Sequence, residues 1–215
     1  MTQLPLPLAW PPSPSDDDFL ISSSNTAAAQ HLGRWGAWPV MATLLVGPRK
    51  SGRSTLARLF AQQSGGTIID DAERASEPAI FHAWNTAQAE RRPLLIIGAA
   101  PPPEWAIGLP DLRSRLAATP VARIEPPDDA LMAALLARNF LRRQIDARDD
   151  VIAWLVARIE RSHVAIERCV DTLDAAALAT RKRLSIMLAR AAMTSAGLLP
   201  AHRPESGAES GENSA

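Results

Sequence analysis

The sequence has few of the features that mark secreted or membrane proteins. Cys169 is its only cysteine, so no disulfide can form within one chain, and a reducing compartment is expected. No apolar run approaches the roughly 20 residues of a membrane-spanning helix, and the N-terminus lacks the pattern of a signal peptide. We therefore expect a soluble cytoplasmic protein with no membrane partner.

Net charge is also lacking, since 23 basic residues balance 23 acidic ones. This balance gives no overall electrostatic reason for direct binding to nucleic acid. The 215 residues suffice for one good-sized core and a small additional domain. Cys169 lies in a helical pattern without activating neighbours, which favours a buried apolar filler over a catalytic thiol.

The clearest motif is a glycine-containing loop at residues 47–55, GPRKSGRST, between an apolar run and a helical pattern. Strand, loop and helix in this order are typical of a phosphate-binding P-loop, in which backbone N–H groups and the helix N-terminus face the anion. Arg53 replaces the usual lysine, and its planar guanidinium is not equivalent to a compact ammonium. The candidate nucleotide-binding residues are Gly47, Pro48, Ser51, Gly52, Arg53, Ser54 and Thr55.

A second candidate feature follows the short apolar run TII at residues 67–69, where Asp70 and Asp71 stand side by side. At the end of a parallel strand beside a P-loop, one carboxylate can hold magnesium and another can orient the attacking water. Ser54 and Asp70 are the candidate magnesium residues. The alternative is a strand that ends in an ordinary polar turn.

The apolar runs at residues 40–46, 67–69, 93–98 and 121–125 alternate with helical patterns, which predicts an α/β domain with a buried parallel sheet over residues 19–127. Helical periodicity dominates residues 128–199 and predicts a small all-helical domain. We expect residues 1–18 and 200–215 to be disordered tails. Within the first tail, the segment QLPLPL at residues 3–8 is either a docking motif or a featureless leader.

The layout of a P-loop α/β domain followed by a helical lid resembles AAA+ proteins. Several segments resemble the DnaA-related family and, more closely, its Hda-type regulatory inactivators of DnaA. These segments are residues 3–8, 19–25, 47–55, 68–71, 109–115 (LPDLRSR) and 124–127. The resemblance implies that Gln3, Leu4, Leu6 and Leu8 bind the DNA polymerase III beta sliding clamp. It also implies DnaA as a partner and contact with DNA only indirectly. The sequence leaves open whether the chain forms a homodimer.

The departures from that family concern the chain's own nucleotide site. Arg53 stands at the lysine position, Ala99 stands where the family has a polar sensor residue, and Val164 falls where the lid has its sensor arginine. Arg161 and Arg168 are near that last position but not on it. The span between the P-loop helix and Thr67 is also short for that family, which predicts that this chain lacks one of the family's strands. Binding of ADP or ATP with magnesium is therefore in doubt.

The resemblance places an arginine finger at Arg115, which points into the nucleotide site of a neighbouring subunit. A weakened pocket with a retained finger suits a protein that stimulates ATP hydrolysis by DnaA. Three alternatives stay open: a weak P-loop ATPase in its own right, a non-catalytic adaptor between the clamp and DnaA, and a factor that recruits DnaA to DNA.

Overall fold

The computed structural model describes residues 19–199, which divide into two compact units. The first comprises residues 19–136 and 160–166, and the second comprises residues 137–159 and 167–199. The clamp-motif residues Gln3, Leu4, Leu6 and Leu8 lie outside the described residues. No helix in the described part of the chain is long and apolar enough to cross a lipid bilayer.

The first unit contains a parallel sheet of four strands in the order β2-β3-β1-β4. The strands are β1 (Ala42–Val46), β2 (Thr67–Ile69), β3 (Leu94–Gly98) and β4 (Val121–Arg123). Every residue of β1 and β3 is buried, as continuous apolar runs predict for central strands covered on both faces. The predicted parallel α/β fold is confirmed.

Successive side chains of a strand point to opposite faces, and here they separate two cores. Leu45, Leu95 and Ile97 pack with helices α1 (Thr26–Gly33) and α2 (Arg53–Ser64). Leu44 and Ile96 pack on the other face with helices α3 (Glu77–Glu90) and α4 (Pro110–Ala117). The sheet is therefore the middle of three layers, and the P-loop and the 109–115 segment lie on elements from opposite layers.

Only Gly65 and Gly66 connect α2 to β2. Gly65 ends the helix in the left-handed conformation (φ 65°), and a Cβ on Gly66 would lie 2.6 Å from the carbonyl oxygen of Pro93. This tight link leaves no room for another strand between the two elements. The predicted absence of a strand there agrees with the four-stranded sheet of the described residues.

The C-terminal part is helical, with α5 (Asp129–Arg142), α6 (Asp149–Val156), α7 (His163–Thr180) and α8 (Ile186–Ser195). Asp128 caps α5 by accepting a hydrogen bond from the Leu131 N–H at 2.7 Å, and Ser185 caps α8 through the Leu188 N–H at 3.2 Å. Cys169 is 0% exposed in the second unit, as predicted for an apolar filler. Burial raises the pKa of its thiol to about 12.

Candidate functional site

The two glycines of the 47–55 loop occupy positions that exclude a side chain. A Cβ on Gly47 would lie 2.8 Å from the carbonyl oxygen of Ile124, and one on Gly52 would lie 2.9 Å from Cε2 of Phe19. Gly52 also has a left-handed backbone with φ 86°. The loop therefore folds back tightly between the end of β1 and the start of α2.

The N-terminus of α2 opens directly from this loop. Gly52 is its N-cap residue and supplies no side-chain oxygen to the first-turn N–H groups. Ser51 is 4% exposed, and its Oγ has no hydrogen-bond partner among the described residues. N–H groups without a side-chain cap beside a buried, unpaired hydroxyl fit the binding of a phosphate group.

The other loop residues make local contacts. The Pro48 carbonyl accepts a hydrogen bond from the Ser51 N–H at 3.3 Å and closes a turn. Thr55 Oγ1 accepts a 3.4 Å hydrogen bond from Arg58. Both hydrogen bonds lie within the loop and the first turn of α2, so Pro48 and Thr55 help to hold the local backbone conformation.

Arg53 is the point at which the loop departs from a simple phosphate cradle. Its guanidinium Nη1 donates a hydrogen bond to the carbonyl oxygen of Gly98, the last residue of β3. A lysine ammonium is a compact charge with three rotatable donors, whereas this planar group is already engaged within the protein. The loop fits a phosphate through its backbone, but the guanidinium of Arg53 is bonded to Gly98.

Ser54 and Asp70 come together at the carboxyl end of the sheet. Ser54 Oγ donates a hydrogen bond to Asp70 Oδ2 at 2.9 Å, and the Asp71 N–H donates to Asp70 Oδ1 at 2.9 Å. Asp71 adopts a left-handed conformation with φ 48° and is exposed. A hydroxyl and a carboxylate at this distance suit magnesium in the presence of nucleotide phosphates. Residues 19–199 contain no group of three or more His, Cys, Asp or Glu side chains placed to hold a metal ion.

Glu73 makes a contact in the site that the sequence does not predict. Its Oε1 accepts a hydrogen bond from the Ala99 N–H at 3.1 Å, and its Oε2 lies 3.3 Å from where a Cβ of Gly98 would stand. The polar group at the start of the segment after β3 is thus a carboxylate from another element. Because a carboxylate repels a phosphate, this contact opposes binding of a further phosphate at that edge. The only available signal was a third acidic residue shortly after Asp70 and Asp71.

Arg115 lies near the end of α4, half-buried. Its guanidinium carbon is 4.3 Å from the ring centre of Phe81 and 5.3 Å from that of Trp84. Its Nη1 donates to the Asp111 carbonyl at 3.3 Å, and it has no carboxylate partner among the described residues. The neighbouring Arg113 differs, because its Nε and Nη2 both donate to the carbonyl of Ile107.

Three residues lie at or near the position expected for the sensor arginine, namely Val164, Arg161 and Arg168. Val164 is half-buried in the first turn of α7. Arg161 forms an ion pair with Asp129, with 2.9 Å between Nη2 and Oδ1. Arg168 lies further along α7, in the second unit, and is exposed. Since its guanidinium already pairs with a carboxylate, Arg161 is a poor substitute for a sensor arginine.

Residues 128–193 match the family model described as the Hda lid domain. Domain III of the Thermotoga maritima replication initiation protein DnaA has a similar fold, with 13% identity, a TM-score of 0.68, and coverage of 86% of this chain and 96% of that one. Residues 128–193 therefore form a lid domain of the Hda type, and the fold of the described chain is that of DnaA domain III.

Other solved structures share the fold of this chain. DnaA from Aquifex aeolicus bound to AMPPCP has 15% identity and a TM-score of 0.56, and the match covers 72% of this chain and 63% of that one. Thermotoga maritima RuvB has 16% identity and a TM-score of 0.63, with 85% and 72% coverage. At these identities the likeness establishes the AAA+ fold and the helical lid, while the nucleotide chemistry depends on this chain's own residues.

Proposed function

We propose that this Hda-type protein regulates the initiation of chromosome replication by stimulating ATP hydrolysis in DnaA. The observation that carries the proposal is the contrast between two arginines. Arg53, in the chain's own loop, is bonded to the Gly98 carbonyl at the end of β3. Arg115 makes only a 3.3 Å hydrogen bond within its own helix, and its Nε has no partner among the described residues. A cation without an internal counter-charge can stabilise the transferring phosphoryl group of another protein.

Arg115 acts as an arginine finger in trans. An arginine supplied by a partner raises the rate of nucleotide hydrolysis by roughly 10³–10⁵. Conversion of ATP-bound DnaA to its ADP-bound form then prevents re-initiation. In this scheme the reaction belongs to DnaA, and the chain contributes the charge that completes its site.

Clamp binding supplies the location. The segment at residues 3–8 presents Gln3, Leu4, Leu6 and Leu8 to the DNA polymerase III beta sliding clamp in the cytoplasm, and contact with DNA is indirect. Tethering on DNA raises the effective concentration of Arg115 near DnaA without any new contact between the two proteins. A homodimer is compatible with this arrangement but is not needed for it.

The chain's own loop takes ADP or ATP with magnesium weakly, and ADP is favoured. The backbone cradle around Ser51 and the Ser54–Asp70 pair support such binding. The engagement of Arg53, the Glu73 carboxylate at Ala99 and the apolar Val164 oppose the binding of a third phosphate and its hydrolysis.

A second candidate function is a weak ATPase in its own right. The specific observation in its favour is the 2.9 Å contact between Ser54 and Asp70, next to Asp71. Turnover by the isolated chain that is lost on Asp71→Asn would favour this candidate.

The decisive experiment measures ATP hydrolysis by DnaA in the presence of DNA-loaded clamp and the full chain. Arg115→Ala should abolish the stimulation without changing clamp binding, and Arg123→Ala, which removes an exposed arginine from β4, should have no effect. Leu6→Ala with Leu8→Ala should remove clamp binding and clamp-dependent stimulation. Full stimulation by Arg115→Ala would reject the finger and leave an adaptor role.

A further inference from the structure

Side chains of helix α3 form hydrogen bonds with residues at both ends of α4. At the start of α4, the Glu77 carboxylate accepts hydrogen bonds from the N–H groups of Gly108 at 2.8 Å and Leu109 at 2.7 Å. At the far end, Trp84 Nε1 donates to Thr119 Oγ1 at 3.2 Å. The short helix that carries the proposed finger is therefore fixed along its length.

Between these two attachments, the Arg115 side chain lies on aromatic rings of α3. Its guanidinium carbon is 4.3 Å from the centre of Phe81 and 5.3 Å from the centre of Trp84. Its Nε is buried without a hydrogen-bond partner in the described part of the chain. A cation over two ring faces is held by their quadrupoles, which do not neutralise its charge as a carboxylate would.

The three α3 contacts share one helix face. Glu77, Phe81 and Trp84 are separated by four and three residues, the spacing that places side chains on the same side of a helix. Helical spacing alone predicts Phe81 and Trp84 as core residues. Ile80 is fully buried, but Phe81 and Trp84 are only half-buried and keep ring surface for Arg115.

We propose that Phe81 and Trp84 are positioning residues that preset the Arg115 guanidinium for the active site of the partner ATPase. The proposal rests on the finger role proposed above for Arg115. It adds that the rings of α3, together with the hydrogen bonds from Gly108 and Leu109 to Glu77, determine where the Arg115 guanidinium lies before the partner binds.

The physical reason is the flexibility of an unrestrained arginine. A side chain with many rotamers loses that freedom when it docks, and a small misplacement at the transferring phosphoryl group costs a large factor in rate. A guanidinium already held over Phe81 has less freedom left to lose when the partner's site reaches its transition-state geometry. The opposite arrangement, in which the rings withhold Arg115 from the partner, predicts faster hydrolysis when a ring is removed.

The kinetic test compares Phe81→Leu with Phe81→Tyr in the stimulated hydrolysis assay with the full chain and DNA-loaded clamp. Phe81→Leu keeps an apolar side chain but removes the ring, and it should lower the maximal stimulated rate about tenfold. The concentration that gives half-maximal stimulation should stay unchanged, because the contact acts on the reacting geometry and not on association. Phe81→Tyr keeps the ring and should retain most of the rate.

A second measurement needs no partner. In the NMR spectrum of the free chain, the Arg115 Nε–H should be shifted by the ring current of Phe81 and exchange slowly with water because it is buried. Phe81→Leu should remove the shift, and Phe81→Tyr should keep it. Melting temperatures of both variants show whether either has lost its fold.

The outcomes separate the two proposals. If Arg115→Ala has no effect on stimulation, the finger role fails, whatever the NMR result. If Arg115→Ala abolishes stimulation but folded Phe81→Leu stimulates normally or faster, the positioning role is overturned. Equal loss in Phe81→Leu and Phe81→Tyr also overturns it, because the ring would then not be the feature that matters.

Discussion

The guanidinium of Arg53 is hydrogen-bonded to the carbonyl oxygen of Gly98, which joins the P-loop to the last residue of β3. The residue at the usual phosphate-binding position thus links the first turn of α2 to the end of β3. A phosphate that entered the loop would have to compete with this carbonyl for the cation. We therefore expect this contact to weaken ATP binding, although both glycines of the loop are in place.

Arg53→Lys should raise the affinity of the chain for ADP and ATP by about tenfold. A lysine cannot form the same planar contact with Gly98, and its ammonium is free to meet a phosphate with a charge-assisted hydrogen bond. Titration of labelled nucleotide against the purified chain measures the change. Arg34→Lys, which alters an exposed arginine at the end of α1, is the matched control and should leave affinity unchanged.

Glu73→Gln should shift nucleotide preference towards ATP. The carboxylate at the Ala99 N–H repels a third phosphate, and glutamine keeps an oxygen acceptor while removing the charge. Because Glu73 is exposed, we expect the ratio of ATP to ADP affinity to rise only by about two- to fivefold. Glu90→Gln, at the exposed end of α3, is the control, and an unchanged ratio in Glu73→Gln would contradict the prediction.

Glu77 should make stability depend on pH in acid. Hydrogen bonds from the backbone N–H of Gly108 and then of Leu109 hold the pKa of Glu77 below its ordinary value of 4.5. A carboxyl with a lowered folded-state pKa contributes its full stabilisation above pH 4.5 and loses it as pH falls through the folded value. Thermal melts from about pH 6 to about pH 3 should show this loss in the native chain.

Glu77→Gln is the comparison for that experiment. Glutamine replaces one acceptor oxygen with an amide donor, so the variant should melt at a lower temperature near neutral pH. The difference from the native chain should shrink as pH falls, since both then lack the carboxylate. A constant difference across the range would show that the Glu77 charge has no part in holding Gly108 and Leu109.

Cys169 should be unreactive in the folded protein. Its thiol is 0% exposed, and burial raises its pKa to about 12, so almost no thiolate is present at neutral pH. A thiol reagent should therefore label the native chain only as fast as it opens and label the denatured chain at once. Cys169→Ser should lower the free energy of unfolding by about 1–3 kcal/mol because it buries a hydroxyl. Rapid labelling without denaturant would contradict this account.

Local pattern was enough for most of the fold. The continuous apolar runs predicted the two central strands. Gly65 ends α2 with a left-handed backbone, and Ser185 caps the start of α8. Each of these signals acts over a few residues, through burial on both faces, a left-handed backbone or a capped N–H group. Short-range physics of this kind can be read from neighbouring residues.

The residues of the candidate site were only partly predictable from the sequence. Sequence alone identified the P-loop, the Asp70-Asp71 pair and Arg115 as candidates, and the structure places Ser54 and Asp70 in contact. It did not identify Glu73, Glu77 or the use of Phe81 and Trp84. Helical spacing assigned Phe81 to the core, because spacing reports which face a residue occupies and not which cation covers it.

The sequence by itself indicated the four strands to within about two residues and showed which residues carry charge. Only the tertiary structure decided what those charges touch, because the partners are far apart in the chain: Arg53 and Gly98 are separated by 45 residues, Glu73 and Ala99 by 26, and Glu77 and Leu109 by 32. Parallel pairing of β2, β3 and β1 brings the carboxyl ends of these strands to one edge. There the backbone at the end of β3 becomes the partner of Arg53, which follows β1, and of Glu73, which follows β2. No local pattern records that pairing.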